Sequence, residues 1–179
     1  MLPPPGTPPN PTPDQGGSPA PPAAQPVRWL NDDEQATWRA FLAASHLLMD
    51  RLDRELQAGV GIPHAYYEIL VRLSEAPGRA MRMGDLADRC DSSRSRLSHA
   101  VRRLEEQGWI RRETAPADRR GAVAVLTDAG MAALEEAAPI HVEGVRRHLF
   151  DQLDRDQLHA LDEISRALYD HLEATPPTG

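Results

Sequence analysis

Residues 90–121 read CDSSRSRLSHAVRRLEEQGWIRRETAPADRRG, and three features in them define a topology. Leu97, Ala100, Val101 and Leu104 recur at helical spacing and make one apolar face. Asp91, Ser92 and Ser93 precede that run and are the residue types that accept hydrogen bonds from free N–H groups at a helix start. Gly108 follows it, where a left-handed residue ends a helix. The polar face carries Ser95, Ser98, His99 and Arg102, flanked by Arg94, Arg96 and Arg103. Two strand-like runs come next, Trp109 to Thr114 and Ala122 to Leu126, around a tip that holds Pro116, Asp118, Arg119 and Arg120. An arginine-rich helix followed by a basic hairpin is what a winged helix-turn-helix presents to DNA. The competing reading is a solvated helix and an ordinary surface hairpin.

The charge distribution bears on that choice. The chain of 179 residues has a net charge of -7, which by itself disfavours a nucleic-acid binder. From Arg79 to Gly121, however, eleven arginines face seven acids, a balance of +4. Elsewhere nine arginines face twenty acids, a balance of -11. An acidic remainder is repelled by phosphate and orients the basic segment towards it. All basic residues other than histidine are arginine.

On both sides of this segment the pattern is helical. Asn31 and Glu34 form a capping-box pair, and Trp38, Phe41, Leu42, Leu48, Leu52 and Leu56 supply a stripe that predicts a helix over about 31–58, ended by Gly59 and Gly61. Pro63 fits the first turn of a second helix through Tyr66, Ile69, Leu70 and Leu73. Ala80 to Met83 suits a very short strand, and Asp85 to Arg89 a third helix. Beyond the hairpin, Thr127 suits the cap of a long helix to about Phe150, with a kink expected at Pro139. Asp154 and Gln157 open a last helix to about residue 173. The expected class is mainly α with a small β-wing. A domain over 27–174 has its DNA-binding lobe at about 62–126 and dimerisation helices at about 31–58, 127–150 and 154–173. Three long amphipathic helices exceed the core that one chain of this size provides, so a homodimer is expected. Residues 1–26 hold eleven of the seventeen prolines and read as a disordered tail of polyproline character; 175–179 read as a second tail.

With these elements placed, the sequence resembles the multiple-antibiotic-resistance regulator (MarR) family, in a branch similar to actinobacterial members. The resemblance rests on Leu86-Ala87, Arg102-Arg103-Leu104-Glu105, Gly108-Trp109-Ile110, Asp118-Arg119-Arg120 and Leu126-Thr127-Asp128-Ala129-Gly130, and covers about Asn31 to Leu172. It implies a dimeric transcription regulator, typically a repressor, that binds a pseudo-palindromic operator in double-stranded DNA. It also implies release by a small anionic or phenolic ligand. Carried over, Ser93, Arg94, Ser95, Arg96, Ser98, His99 and Arg102 match the recognition-helix contacts. Arg120, with Arg119 beside it, matches the wing arginine that enters the minor groove, and Asp118 the acid that braces the wing. Bidentate arginine–guanine pairing and arginine in a narrow minor groove give these matches a physical basis. The family's ligand sites lie where the first, second and fifth helices meet the DNA-binding lobe. The candidates here are His46, Met49, His64, Tyr66, Tyr67 and Met83, with interior packing the competing reading for both tyrosines.

Other chemistry finds little support. Cys90 is the lone cysteine, so no intramolecular disulfide is possible; it reads either as a small buried residue or as a redox switch activated by Arg89. His141 and His148 share a helix face, but seven residues apart they do not make a metal site. No phosphate loop, HExxH or nucleophile motif occurs, so no enzyme activity, cofactor or metal is expected. No secretory signal or membrane span is read, and a cytoplasmic location is the default. Two alternatives remain open: a redox-sensing regulator acting through Cys90, and a winged-helix module that binds a partner protein.

Overall fold

Asn31 starts the first helix by the reciprocal pair its sequence suggests: its side chain accepts from the Glu34 N–H and the Glu34 carboxylate accepts from the Asn31 N–H, both at 2.9 Å. The computed structural model describes residues 27–114 and 121–175. The N-terminal tail, the wing tip with Asp118, Arg119 and Arg120, and residues 176–179 lie outside the described residues. The helix, α1, spans Asp32–Val60 and ends at Gly61, whose φ of 70° only glycine adopts freely. It ends two residues later than expected. Gly59 does not end it; it lies inside α1, where a Cβ would meet the Ile140 side chain.

The remaining elements follow as α2 (His64–Ser74), a 3₁₀ turn (Pro77–Arg79), β1 (Ala80–Arg82), α3 (Met83–Arg89), α4 (Arg94–Glu106), β2 (Ile110–Thr114), β3 (Ala122–Leu126), α5 (Asp128–His148), a second 3₁₀ turn (Phe150–Gln152) and α6 (Arg155–Ala174). Pro63 caps α2 from outside rather than sitting in its first turn. The freed His64 N–H is taken up by Asp53 Oδ1 of α1 at 2.8 Å. Helix α3 begins at Met83, two residues early, and α5 runs uninterrupted through Pro139 but stops at His148, before the expected Phe150. The Asp154–Gln157 capping box on α6 is present, at 2.9 and 3.0 Å.

The sheet is small and antiparallel, in the order β1-β3-β2. Ile110 pairs with Leu126 and Thr114 with Ala122, so the described part of the wing closes at Thr114 and Ala122. One core lies beneath it. Leu56, Leu70, Leu73, Leu86, Leu97, Val101 and Leu104 are fully buried there, drawn from α1, α2, α3 and α4. Burial of each such side chain contributes about 1.5–3 kcal/mol relative to exposure.

Helix α5 ties the sheet to α1. Thr127 caps it, accepting from the Gly130 N–H at 3.0 Å. The Thr127 hydroxyl lies 2.7 Å from the Gly108 carbonyl oxygen and 3.1 Å from that of Trp109, and the Thr127 N–H donates to the Trp109 oxygen at 3.0 Å. The end of α4 and the start of α5 are thereby pinned together. Further along, Gly144 lets α5 approach Leu52 and Glu55 of α1. Glu55 Oε1 accepts from His148 Nε2 at 2.7 Å and lies 3.5 Å from Arg147. That hydrogen bond holds the Glu55 carboxyl below its ordinary value. Helix α6 buries none of its residues.

Candidate nucleic-acid interface

Helix α4 is fixed at both ends by local chemistry. Ser93 caps its start, its hydroxyl accepting from the Arg96 N–H at 3.3 Å. At its end the Gly108 N–H donates to the Glu105 carbonyl at 2.9 Å, and the Trp109 N–H to the Leu104 carbonyl at 2.9 Å. Gly108 has a φ of 75°. These are the paired bonds of a Schellman motif, and they turn the chain into β2. Leu97, Val101 and Leu104 face the core, which forces the intervening residues outward.

Ser93, Arg94, Ser95, Arg96, His99 and Arg102 are exposed, and Ser98 is half-buried. Among the described residues, Arg94, Arg96 and Arg102 have no carboxylate partner in this structure; Arg102 lies 3.4 Å from His99 Nδ1. Arg103 and Arg112 differ. Arg103 pairs with Glu106 at 2.9 Å, and Arg112 with Glu105 at 3.0 Å while donating to the Ser98 carbonyl at 3.0 Å. Arg112 thus fastens β2 to one flank of α4. Asp118, Arg119 and Arg120 fall outside the described residues.

The six residues expected at a ligand site do not gather in one place. His46 and Met49 are exposed on α1, and Met83 packs against the core at the start of α3. His64 and Tyr67 do come together, and His141 of α5 joins them: its ring lies 5.3 Å from His64 and 4.6 Å from Tyr67. Burial pushes the Tyr67 hydroxyl up and the His141 imidazole down, the latter with a further push from His64. His141 Nδ1 is buried and has no hydrogen-bond partner among the described residues. Tyr66, one position from Tyr67, faces α4 instead. Sequence reasoning missed His141 at this place, and no local signal marks it, because its neighbours come from a helix some seventy residues earlier. His148, which shares a helix face with His141 in the sequence, is hydrogen-bonded to Glu55 instead.

Cys90 packs against the core where α3 ends. Burial pushes its thiol up to about 11, Glu68 adds to this, and Arg72 opposes it. The opposing charge is Arg72 and not the Arg89 expected to activate it; burial outweighs it, and the thiolate that redox chemistry needs is scarce at neutral pH.

A sequence profile of the MarR family matches residues 60–121. Sco3205, a MarR family transcriptional regulator from Streptomyces coelicolor whose crystal structure is in complex with DNA, is 49% identical. The match covers 83% of this chain and 92% of Sco3205, with a TM-score of 0.78. AbsC, a MarR family transcriptional regulator from the same organism, is 44% identical over 83% of this chain and 100% of its own, with a TM-score of 0.76. The HTH-type transcriptional regulator PrsX of Escherichia coli is 22% identical over 144 residues, 75% of this chain and 86% of PrsX.

Proposed function

The chain belongs to the MarR family of transcriptional regulators, and from that premise we propose that it is a dimeric repressor. It reads a pseudo-palindromic operator in double-stranded DNA and leaves it when a small phenolic or anionic ligand binds. The observation that carries the DNA reading is the outward face of α4, where Arg94, Arg96 and Arg102 stand exposed without carboxylate partners among the described residues. Ser93, Ser95, Ser98 and His99 supply the remaining contacts of α4, and the family resemblance adds Arg119 and Arg120 as the minor-groove arginines and Asp118 as their brace. Exposed apolar residues on α1 and α6 support the dimer, whose two-fold axis matches operator symmetry. The His64–Tyr67–His141 cluster supports ligand release, since it joins α2 of the DNA-reading lobe to α5. The relatives regulate transcription, and no enzymatic activity is proposed.

Footprinting of the purified protein across its own genome tests this reading. Discrete protected sites with two-fold symmetry are expected, and their affinity should fall steeply with salt as phosphate neutralisation demands. Absence of any protected site, or affinity indifferent to salt, would sink the proposal and leave a protein-binding winged helix as the better reading.

A further inference from the structure

We propose that the cleft between α2 and α4 holds one phosphate of the DNA backbone, which makes Tyr66 and Arg103 DNA-contacting residues. Helix α2 is then a third DNA-contacting element, beside α4 and the wing. This deepens the DNA-binding reading above and rests on it.

Tyr66 of α2 and Arg96, His99, Arg102 and Arg103 of α4 line a cleft of about 390 Å³ together with Ala65 and Ala100. Three guanidinium groups, an imidazole and a phenol converge there, and among the described residues no carboxylate lines it. Guanidinium groups bind phosphate through paired, charge-assisted hydrogen bonds, and a tyrosine hydroxyl donates one more. The position on α4 is as informative as the composition. Arg96, Ala100 and Arg103 repeat at i, i+4 and i+7 and so share the flank of α4 that faces α2. Ser98 and Glu105 mark the other flank, which Arg112 ties to β2. The helix therefore has the wing on one side and this cleft on the other. A helix lying in the major groove has a sugar–phosphate strand along each side, so both flanks meet phosphates.

The Arg103–Glu106 pair does not stand in the way. Both side chains are more than half exposed, at 62% and 51%, and an exposed pair of this spacing exchanges readily for a phosphate contact. Tyr66 reaches the cleft because adjacent helical positions point in different directions. Tyr67 turns into the core at 8% exposure, and Tyr66 turns towards α4.

The test uses the full chain and operator duplexes in which single phosphates are replaced, one at a time, by neutral methylphosphonates. In the parent protein, one replacement per half-site should weaken binding about tenfold. In Arg103→Gln the same replacement should cost much less than in the parent, while binding to the operator and to its single-base variants falls by one common factor. The slope of log affinity against log salt should drop by about one for each half-site. Tyr66→Phe should weaken binding without changing that slope, and Arg103→Lys should keep the parent's slope. The cleft assignment is overturned if Arg103→Gln matches the parent in affinity and slope. It is equally overturned if the loss concerns particular bases, or if every methylphosphonate costs this variant as much as the parent. Melting by circular dichroism confirms that each variant is folded; should Tyr66→Phe fail to fold, the exposed Arg103 decides alone. A parent protein that binds no DNA would sink the broader reading instead, and the two failures are thereby distinct.

Discussion

Gly130 is buried in the first turn of α5, and a Cβ there would collide with the Trp109 carbonyl and crowd the Leu126 side chain. Backbone cannot move aside as a flexible side chain can, so the glycine in Leu126-Thr127-Asp128-Ala129-Gly130 is a packing requirement. Gly130→Ala should destabilise the protein by about 1–3 kcal/mol, the usual cost of overpacking a tight contact. Urea unfolding of the two proteins measures this, and an unchanged midpoint would show that the turn relaxes freely. Arg102 is the opposite kind of residue, exposed and outside the core. Arg102→Ala should leave the melting curve alone but weaken operator binding by about 1–3 kcal/mol and relax preference at particular base pairs. Titration against single-base operator variants reads this out; equal weakening on every sequence would move Arg102 from base contact to phosphate contact.

Between elements, the informative contact is that of α2 with α5. His141 is held below its ordinary value of 6.5 by burial first and by His64 second, with Tyr67 packed against both rings. The folded protein therefore binds this proton less readily than the unfolded chain. Its contribution to stability is full above pH 6.5 and is lost as pH falls from there through the folded value. Glu55 acts in a lower window. Its carboxyl lies below 4.5 chiefly through the His148 hydrogen bond, so its stabilisation is present above that value and lost as pH falls through the folded one. Melting temperature should thus begin to decline just below pH 6.5, and His141→Gln should flatten that upper part while leaving the acid limb. A parent-like profile for His141→Gln would assign the decline to another group.

The whole molecule has an imbalance that a second copy would correct. Helix α6 is 20 residues long and buries none of them, although Leu158, Ile164, Leu168 and Leu172 form a stripe along it. An isolated helix of this length is marginal in water, so its apolar face needs a partner. Trp29, before α1, and Trp38 and Phe41, within its N-terminal half, are likewise exposed, with the Trp38 and Phe41 rings stacked 6.1 Å apart. Light scattering at micromolar concentration should give twice the chain mass. Leu168→Glu combined with Leu172→Glu should shift the mass towards one chain and abolish tight operator binding, since half-sites would be held singly. A folded parent with the mass of one chain would refute the dimer.

Much of this architecture was legible along the chain because the deciding interactions are short-range. The Asn31–Glu34 and Asp154–Gln157 boxes, the Thr127 cap and the Gly108 stop each involve residues within a few positions of one another and each appears as expected, and of Asp91, Ser92 and Ser93 it is Ser93 that caps α4. The apolar face of α4 follows from periodicity, and with it the outward arginines. What only the tertiary structure decided depends on residues distant in sequence. Gly59 reads as a helix stop until Ile140 of α5 packs across it. Tyr66 and Tyr67 are alike in sequence, and only the placement of α4 and α5 around α2 sends one to the basic cleft and the other to His141. Arg103 and Arg112 both have acids nearby in the sequence, and only the fold puts one beside α2 and ties the other to Glu105 and the Ser98 carbonyl. Local hydrogen bonds and helical periodicity are written in neighbouring residues, whereas the surroundings of a side chain are set by which faces of distant helices meet.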